Sequence, residues 1–147
     1  MGNILFRKTS VPQTSTASKG ENKIAEVLIS LKIKFQREYV ITELPHRRYD
    51  FYFTVGKYKY LLEYDGEQHF KHVNFFHKTI DEFLKYQQID REKTFTAIKN
   101  KYKVIRIDYT QINDIELLKY HIKSALRKKY KLYLSNKRMY NYLFEQI

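Results

Sequence analysis

Asp50, Glu63 and Asp65 are the residues of this sequence whose types and spacing could do chemistry together. They stand in Tyr49-Asp50-Phe51 and in Leu62-Glu63-Tyr64-Asp65, on either side of Gly56-Lys57. Arg48 to Val55 and Tyr58 to Asp65 are aromatic, β-branched runs, and a Gly-X pair between two such runs signals a type II′ hairpin. A two-residue turn sets Val55 opposite Tyr58, which brings Asp50 opposite Glu63 and Arg48 opposite Asp65. Glu63 and Asp65, two apart, project from one face. Phe51, Phe53, Val55, Tyr58, Tyr60 and Leu62 fill the other as core. Opposed carboxylates about 5 Å apart repel, so either one holds a proton or a cation lies between them. Mg²⁺ takes one or two carboxylates plus water and phosphate oxygens. In that position it would polarise a scissile phosphate and ready a water for attack. The alternative is a salt-bridged hairpin, with Arg48 neutralising Asp65 and Arg47 or Lys59 serving the other acids.

The elements that must position these acids follow from capping and periodicity. Ser18-Lys19-Gly20-Glu21 is an S-x-x-E capping box, and Ile24, Val27, Leu28 and Leu31 continue at helical spacing, predicting a helix over 19–32. A strand is expected over 35–41, closed by Pro45. Residues 66–77 read as a loop rich in His and Phe. A second helix is expected over 78–99, on Ile80, Phe83, Leu84, Ile89, Phe95 and Ile98. A strand over 102–109 and a third helix over 114–129 follow. The order predicts an α/β fold, a small mixed β-sheet flanked by helices. The chain divides into a flexible basic arm (1–17), one domain (18–129) and a basic, Tyr-rich helical extension (130–147).

Composition bounds the partners. Lys and Arg outnumber Asp and Glu by 28 to 16 in 147 residues, a formal charge of +12. Such a field attracts polyanions, nucleic acid first, and the 14 Tyr and 10 Phe could stack bases. Arg47, Arg48, Lys71, Arg106, Arg127, Lys128 and Lys129 are the candidate phosphate contacts, and DNA is the expected partner. No run is long enough for a bilayer span, and nothing reads as a secretory signal, so no membrane association is expected. The absence of cysteine excludes disulfides and a thiol nucleophile and fits an intracellular setting, cytoplasmic, nuclear or viral. His69, His72 and His77 raise a zinc question, but no cysteine partners them. A homodimer is left open.

Glu21, Tyr49-Asp50-Phe51 and Glu63-Tyr64-Asp65-Gly66-Glu67-Gln68-His69 resemble the PD-(D/E)xK, restriction-endonuclease-like nucleases. They are most similar to the branch of very-short-patch-repair endonucleases and related phage and homing enzymes. Asp90-Arg91-Glu92-Lys93 and Val104-Ile105-Arg106-Ile107 look like that branch's helix and following strand. The resemblance covers roughly residues 18 to 125. It implies a restriction-endonuclease-like core and hydrolysis of DNA phosphodiester bonds with Mg²⁺ or Mn²⁺. Asp50 and Glu63 would be the principal metal ligands, with Glu21 a further ligand or water-orienting acid. The family's lysine, two residues after the second acid, is Asp65 here. Either Lys93 reaches in from the second helix, or His69 serves as general base, with Gln68 orienting water or phosphate and Asp90 orienting the imidazole. His69 is the favoured base, because an imidazole suits proton transfer at neutral pH. An inactive nucleic-acid-binding module, a Holliday-junction-resolvase-like nuclease and a structural protein are the rival expectations.

Overall fold

The computed structural model describes residues 18–74 and 76–145; the arm expected over 1–17 lies outside them. Its order is α1 (Lys19–Ser30), β1 (Gln36–Tyr39), β2 (Tyr49–Val55), β3 (Tyr58–Asp65), α2 (Ile80–Lys99), β4 (Lys103–Asp108), α3 (Ile115–Lys128) and β5 (Leu132–Leu134). The five strands lie side by side in chain order. β1, β2 and β3 form an antiparallel meander, and β4 and β5 add in parallel through the α2 and α3 crossovers. This is a mixed α/β sheet flanked by helices. Among the described residues, no helix is long and apolar enough to cross a membrane.

Two apolar layers sandwich the sheet. Phe51, Phe53, Tyr60, Leu62, Ile105 and Ile107 meet the inner stripes of α1 and α3. Leu61, Val104 and Tyr49 pack on the other face against Ile41, Leu44 and Ala97 of α2. Adjacent strand residues thus divide between the layers, as the pleat requires. Val55, expected in the core, is exposed at the hairpin's end.

The hairpin register is the one that a two-residue turn dictates: Val55 faces Tyr58 and Phe51 faces Leu62. Gly56 alone in the turn has positive φ (60°), as type II′ requires at its first central position. Ser18 caps α1 by accepting from the Glu21 amide at 3.1 Å.

Two elements depart from expectation. Helix α2 points a largely polar stripe inward, with Gln87, Asp90, Thr94 and Ala97 buried, while Ile80, Leu84 and Phe95 are exposed. Its inner face meets the charged ends of β3 and β4, where polar groups have partners and Leu or Ile would not. The tail expected as a helical extension begins with a strand, β5, and continues as a 3₁₀ segment, Met139–Phe144. There Tyr140, Tyr142 and Leu143 are buried with Phe70 and Leu134 against them.

Candidate functional site

The acids gather where β2 begins and β3 ends, the carboxyl end of the parallel pair β3–β4, where open α/β sheets place ligands. The Asp50 amide donates to Glu63 Oε2 and the Tyr64 amide donates to Asp50 Oδ2, both at 2.8 Å. The two side chains therefore exchange bonds with each other's strands, where a regular ladder would pair backbone with backbone. Glu21 enters from the first turn of α1. That helix comes close because residue 20 is glycine, since a Cβ there would overlap the Tyr64 ring.

A fourth acid, Glu38, had no signal in local pattern. It falls between the Arg37–Phe51 and Tyr39–Tyr49 pairs of β1 and β2, level with Asp50, and its φ of 54° lies in the left-handed region that non-glycine residues rarely adopt. Alternation breaks at the same level: Tyr49 belongs to one core layer and Phe51 to the other. Carboxylate oxygens of Glu21, Glu38 and Asp50 lie within 4.8 Å of one another.

The charges around them are unevenly met. Lys93, inside α2, donates to Glu63 Oε1 at 2.8 Å, with its ammonium 5.1 Å from the centre of the Tyr49 ring. The Tyr49 hydroxyl donates to the Lys93 carbonyl at 2.7 Å, pinning this turn of the helix. Burial pulls the Lys93 pKa down, but Glu63 and then Asp50 outweigh it, so the group is held above its ordinary value and stays protonated. Arg37 reaches Glu21 at 3.6 Å, and its buried Nη2 makes no hydrogen bond. Asp50 has no cation within salt-bridge distance among the described residues. Burial, then the charges of Glu63 and Glu21, push its carboxyl well above the usual carboxylate range. Glu21 is raised as well, chiefly by burial, with Arg37 opposing.

Asp65 belongs to a different network. The expected pairing with Arg48 does not occur. Arg106 Nη1 donates to both Asp65 oxygens at 2.7 and 2.8 Å, and the Tyr140 hydroxyl donates at 2.7 Å. Arg106, expected on the surface as a phosphate contact, is 0% exposed. Its Nε donates to Thr94 Oγ1 at 2.9 Å, so it is a structural counter-ion with no face open to DNA.

His69 joins this second network. Its Nδ1 lies 2.7 Å from Asp90 Oδ2 and 3.5 Å from Asp65 Oδ1, so Asp90 does orient the imidazole. Burial lowers the His69 pKa, but Asp65 and Asp90 raise it further, leaving it above the ordinary histidine value. Tyr142 donates to Asp90 at 2.6 Å. Asp90 itself is held far below the carboxylate range because Arg106 and His69 overcome its burial. Gln68 lies over Gly66. Thus Lys93, and not His69, is the base candidate brought into contact with the Glu63 carboxylate.

The remaining expected contacts are scattered. Arg47 pairs with Glu92 at 3.3 Å and Lys71 with Glu67 at 3.4 Å; Arg48, Arg127, Lys128 and Lys129 are exposed. His77 is buried, its Nδ1 accepting from the Val73 amide while His72 Nε2 bonds the His77 carbonyl; the buried His77 Nε2 makes no hydrogen bond.

No protein-family model matches the chain, and neither a curated protein nor a solved structure matches it.

Proposed function

We propose that the chain is a divalent-metal-dependent phosphodiester hydrolase and, within that class, a DNA endonuclease on a restriction-endonuclease-like scaffold. The observation that carries the reading is the convergence of Glu21, Glu38 and Asp50 oxygens within 4.8 Å, with Asp50 tied to Glu63 and no cation paired to it among the described residues. The donor set suits the ion: an all-carboxylate cluster is what hard Mg²⁺ or Mn²⁺ prefers. A shortfall of positive charge, expressed in the raised Asp50 and Glu21 carboxyls, is what a cation would relieve. When bound, the ion would polarise a phosphate oxygen and acidify a water.

The chain's own residues divide the rest. Lys93 keeps its proton at neutral pH, so its role is to offset charge developing on the phosphate, not to abstract a proton. Glu63 holds Lys93 with one oxygen and the Asp50 amide with the other. His69 stands at the neighbouring network, Asp65 lying about 7 Å along the strand from Glu63. With its Nδ1 on Asp90 it can present Nε2 as a proton donor to a leaving oxygen. The excess of basic side chains supports DNA as the substrate.

Incubating supercoiled plasmid with the protein and Mg²⁺ or Mn²⁺, beside Asp50→Ala and Lys93→Met, tests the reading. Nicking that requires the metal and disappears in Asp50→Ala is expected. Plasmid that stays supercoiled with wild type while still being retarded on a gel identifies a binding module without chemistry.

A further inference from the structure

Three lysines from three elements converge on one ring at the far end of the sheet. Lys57 of the hairpin turn, Lys103 at the start of β4 and Lys129 at the end of α3 place their ammonium groups 5.5, 4.8 and 5.6 Å from the centre of the Tyr58 ring. Their charges therefore lie within about 11 Å of one another, the order of the Debye length at physiological salt. Among the described residues, none of the three has a carboxylate within salt-bridge distance. Lys103 is fixed by donating to the Lys129 carbonyl at 2.7 Å. Beside them Lys128 lies over the exposed Tyr130 at 5.8 Å.

A simpler account covers only part of this. Cations at a helix C-terminus are favoured by its dipole, which explains Lys128 and Lys129. The same account covers Lys103, whose ammonium bonds the C-cap carbonyl of α3, but it leaves Lys57, brought to the same ring from the hairpin turn, with its repulsion from the others uncompensated. The Tyr58 π-face offsets some of that cost, and an external polyanion would offset the rest.

We infer that the Lys57–Lys103–Lys129 cluster around Tyr58 is a second nucleic-acid contact, binding the phosphate backbone away from the carboxylates. It stands at the opposite end of β3 from Glu63, five residues or about 17 Å away at ~3.3 Å per residue. No single phosphate can touch both places. At about 3.4 Å per nucleotide step, the substrate spans five or more nucleotides between them. A nucleic acid fits better than a membrane surface, because a membrane-binding helix needs a free apolar face. On α3, Leu118, Ile122 and Ala125 are buried in the core, and the exposed Ile115, Leu117 and Tyr120 lie in its N-terminal half, away from Lys129. That the bound strand is also the one cut rests on the nuclease reading; binding itself does not.

The test is binding without chemistry. Fluorescence anisotropy in EDTA measures affinity of the full chain for a labelled duplex across a salt series, for wild type, the Lys57→Gln/Lys129→Gln double variant and the Lys57→Arg/Lys129→Arg control. Both positions are exposed, and thermal melts confirm that each variant is folded. The expected result is a salt slope shallower by about 1.8 in the Gln variant, two phosphate contacts at ~0.9 each, with the Arg control unchanged. An unchanged slope in the folded Gln variant overturns the inference. So does a Gln variant that loses binding only to phosphatidylserine vesicles and not to DNA. A shallower slope alongside absent metal-dependent nicking keeps this contact and rejects the nuclease.

Discussion

Neutralising Asp50 should stabilise the protein while disabling it. Asp50 stands among Glu21, Glu38 and Glu63 with no paired cation among the described residues, and its raised carboxyl means that the folded chain holds a proton there more tightly than the unfolded one. The sign follows from linkage: stability from this group is full below the ordinary carboxylate value of about 4 and is lost as pH rises through the raised pKa. At neutral pH the charge is a net cost. In Asp50→Asn the side-chain carbonyl can still accept from the Tyr64 amide, the 2.8 Å bond of the native site, so only the charge is removed. Relief of this kind is worth about 1 kcal/mol, or roughly 2–4 °C in Tm for a chain of this size. The opposite holds with metal. Wild type at a Mg²⁺ concentration of about 100 Kd gains about 2.7 kcal/mol, roughly 5–10 °C, and the variant gains little. Scanning calorimetry in EDTA and in saturating Mg²⁺ measures both shifts. A variant that melts lower than wild type in EDTA, or that responds to Mg²⁺ equally, refutes the reasoning.

Lys93→Met should cost about 3–5 kcal/mol in urea unfolding, because it leaves the buried Glu63 carboxylate without its partner. Arg106→Met should cost a similar ~3–5 kcal/mol by stranding Asp65; DNA affinity of whatever folds should match wild type, and a folded variant with selectively weakened DNA binding would contradict the buried role. The His69–Asp90 pair gives stability that is full below the ordinary histidine value of about 6.5 and fades as pH rises through the raised one. Tm against pH should therefore decline as pH rises above about 6.5 in wild type and flatten there in His69→Gln. Gly20→Ala should push the Tyr64 ring or α1 outward at about 1–3 kcal/mol and slow nicking by displacing Glu21; an unchanged Tm would show that the close approach of α1 is unimportant.

What the sequence revealed tracks the range of the forces involved. The capping box at Ser18 and the turn at Gly56 are local, and they fixed α1 and the register that makes Asp50 and Glu63 neighbours. Glu38 was hidden because its role depends on a left-handed residue in an edge strand, which no periodicity marks. Arg106 looked like a surface cation because its partner Asp65 is adjacent only through parallel pairing of β3 with β4, a contact across the α2 crossover. An arginine between Ile105 and Ile107 in a strand buried on both faces must carry its counter-ion with it. The inward side of α2 is likewise chosen by the charged strand ends and not by hydropathy. Tyr140 and Tyr142, in the Tyr-rich tail, supply hydroxyls that close the Asp65 and Asp90 networks.

Diffraction from crystals soaked in Mn²⁺ tests the central claim most directly. A Mn²⁺ anomalous peak bounded by Glu21, Glu38 and Asp50, lost in Asp50→Asn, is the predicted result. No peak at saturating Mn²⁺, or a peak at Asp65, His69 and Asp90 instead, would contradict it.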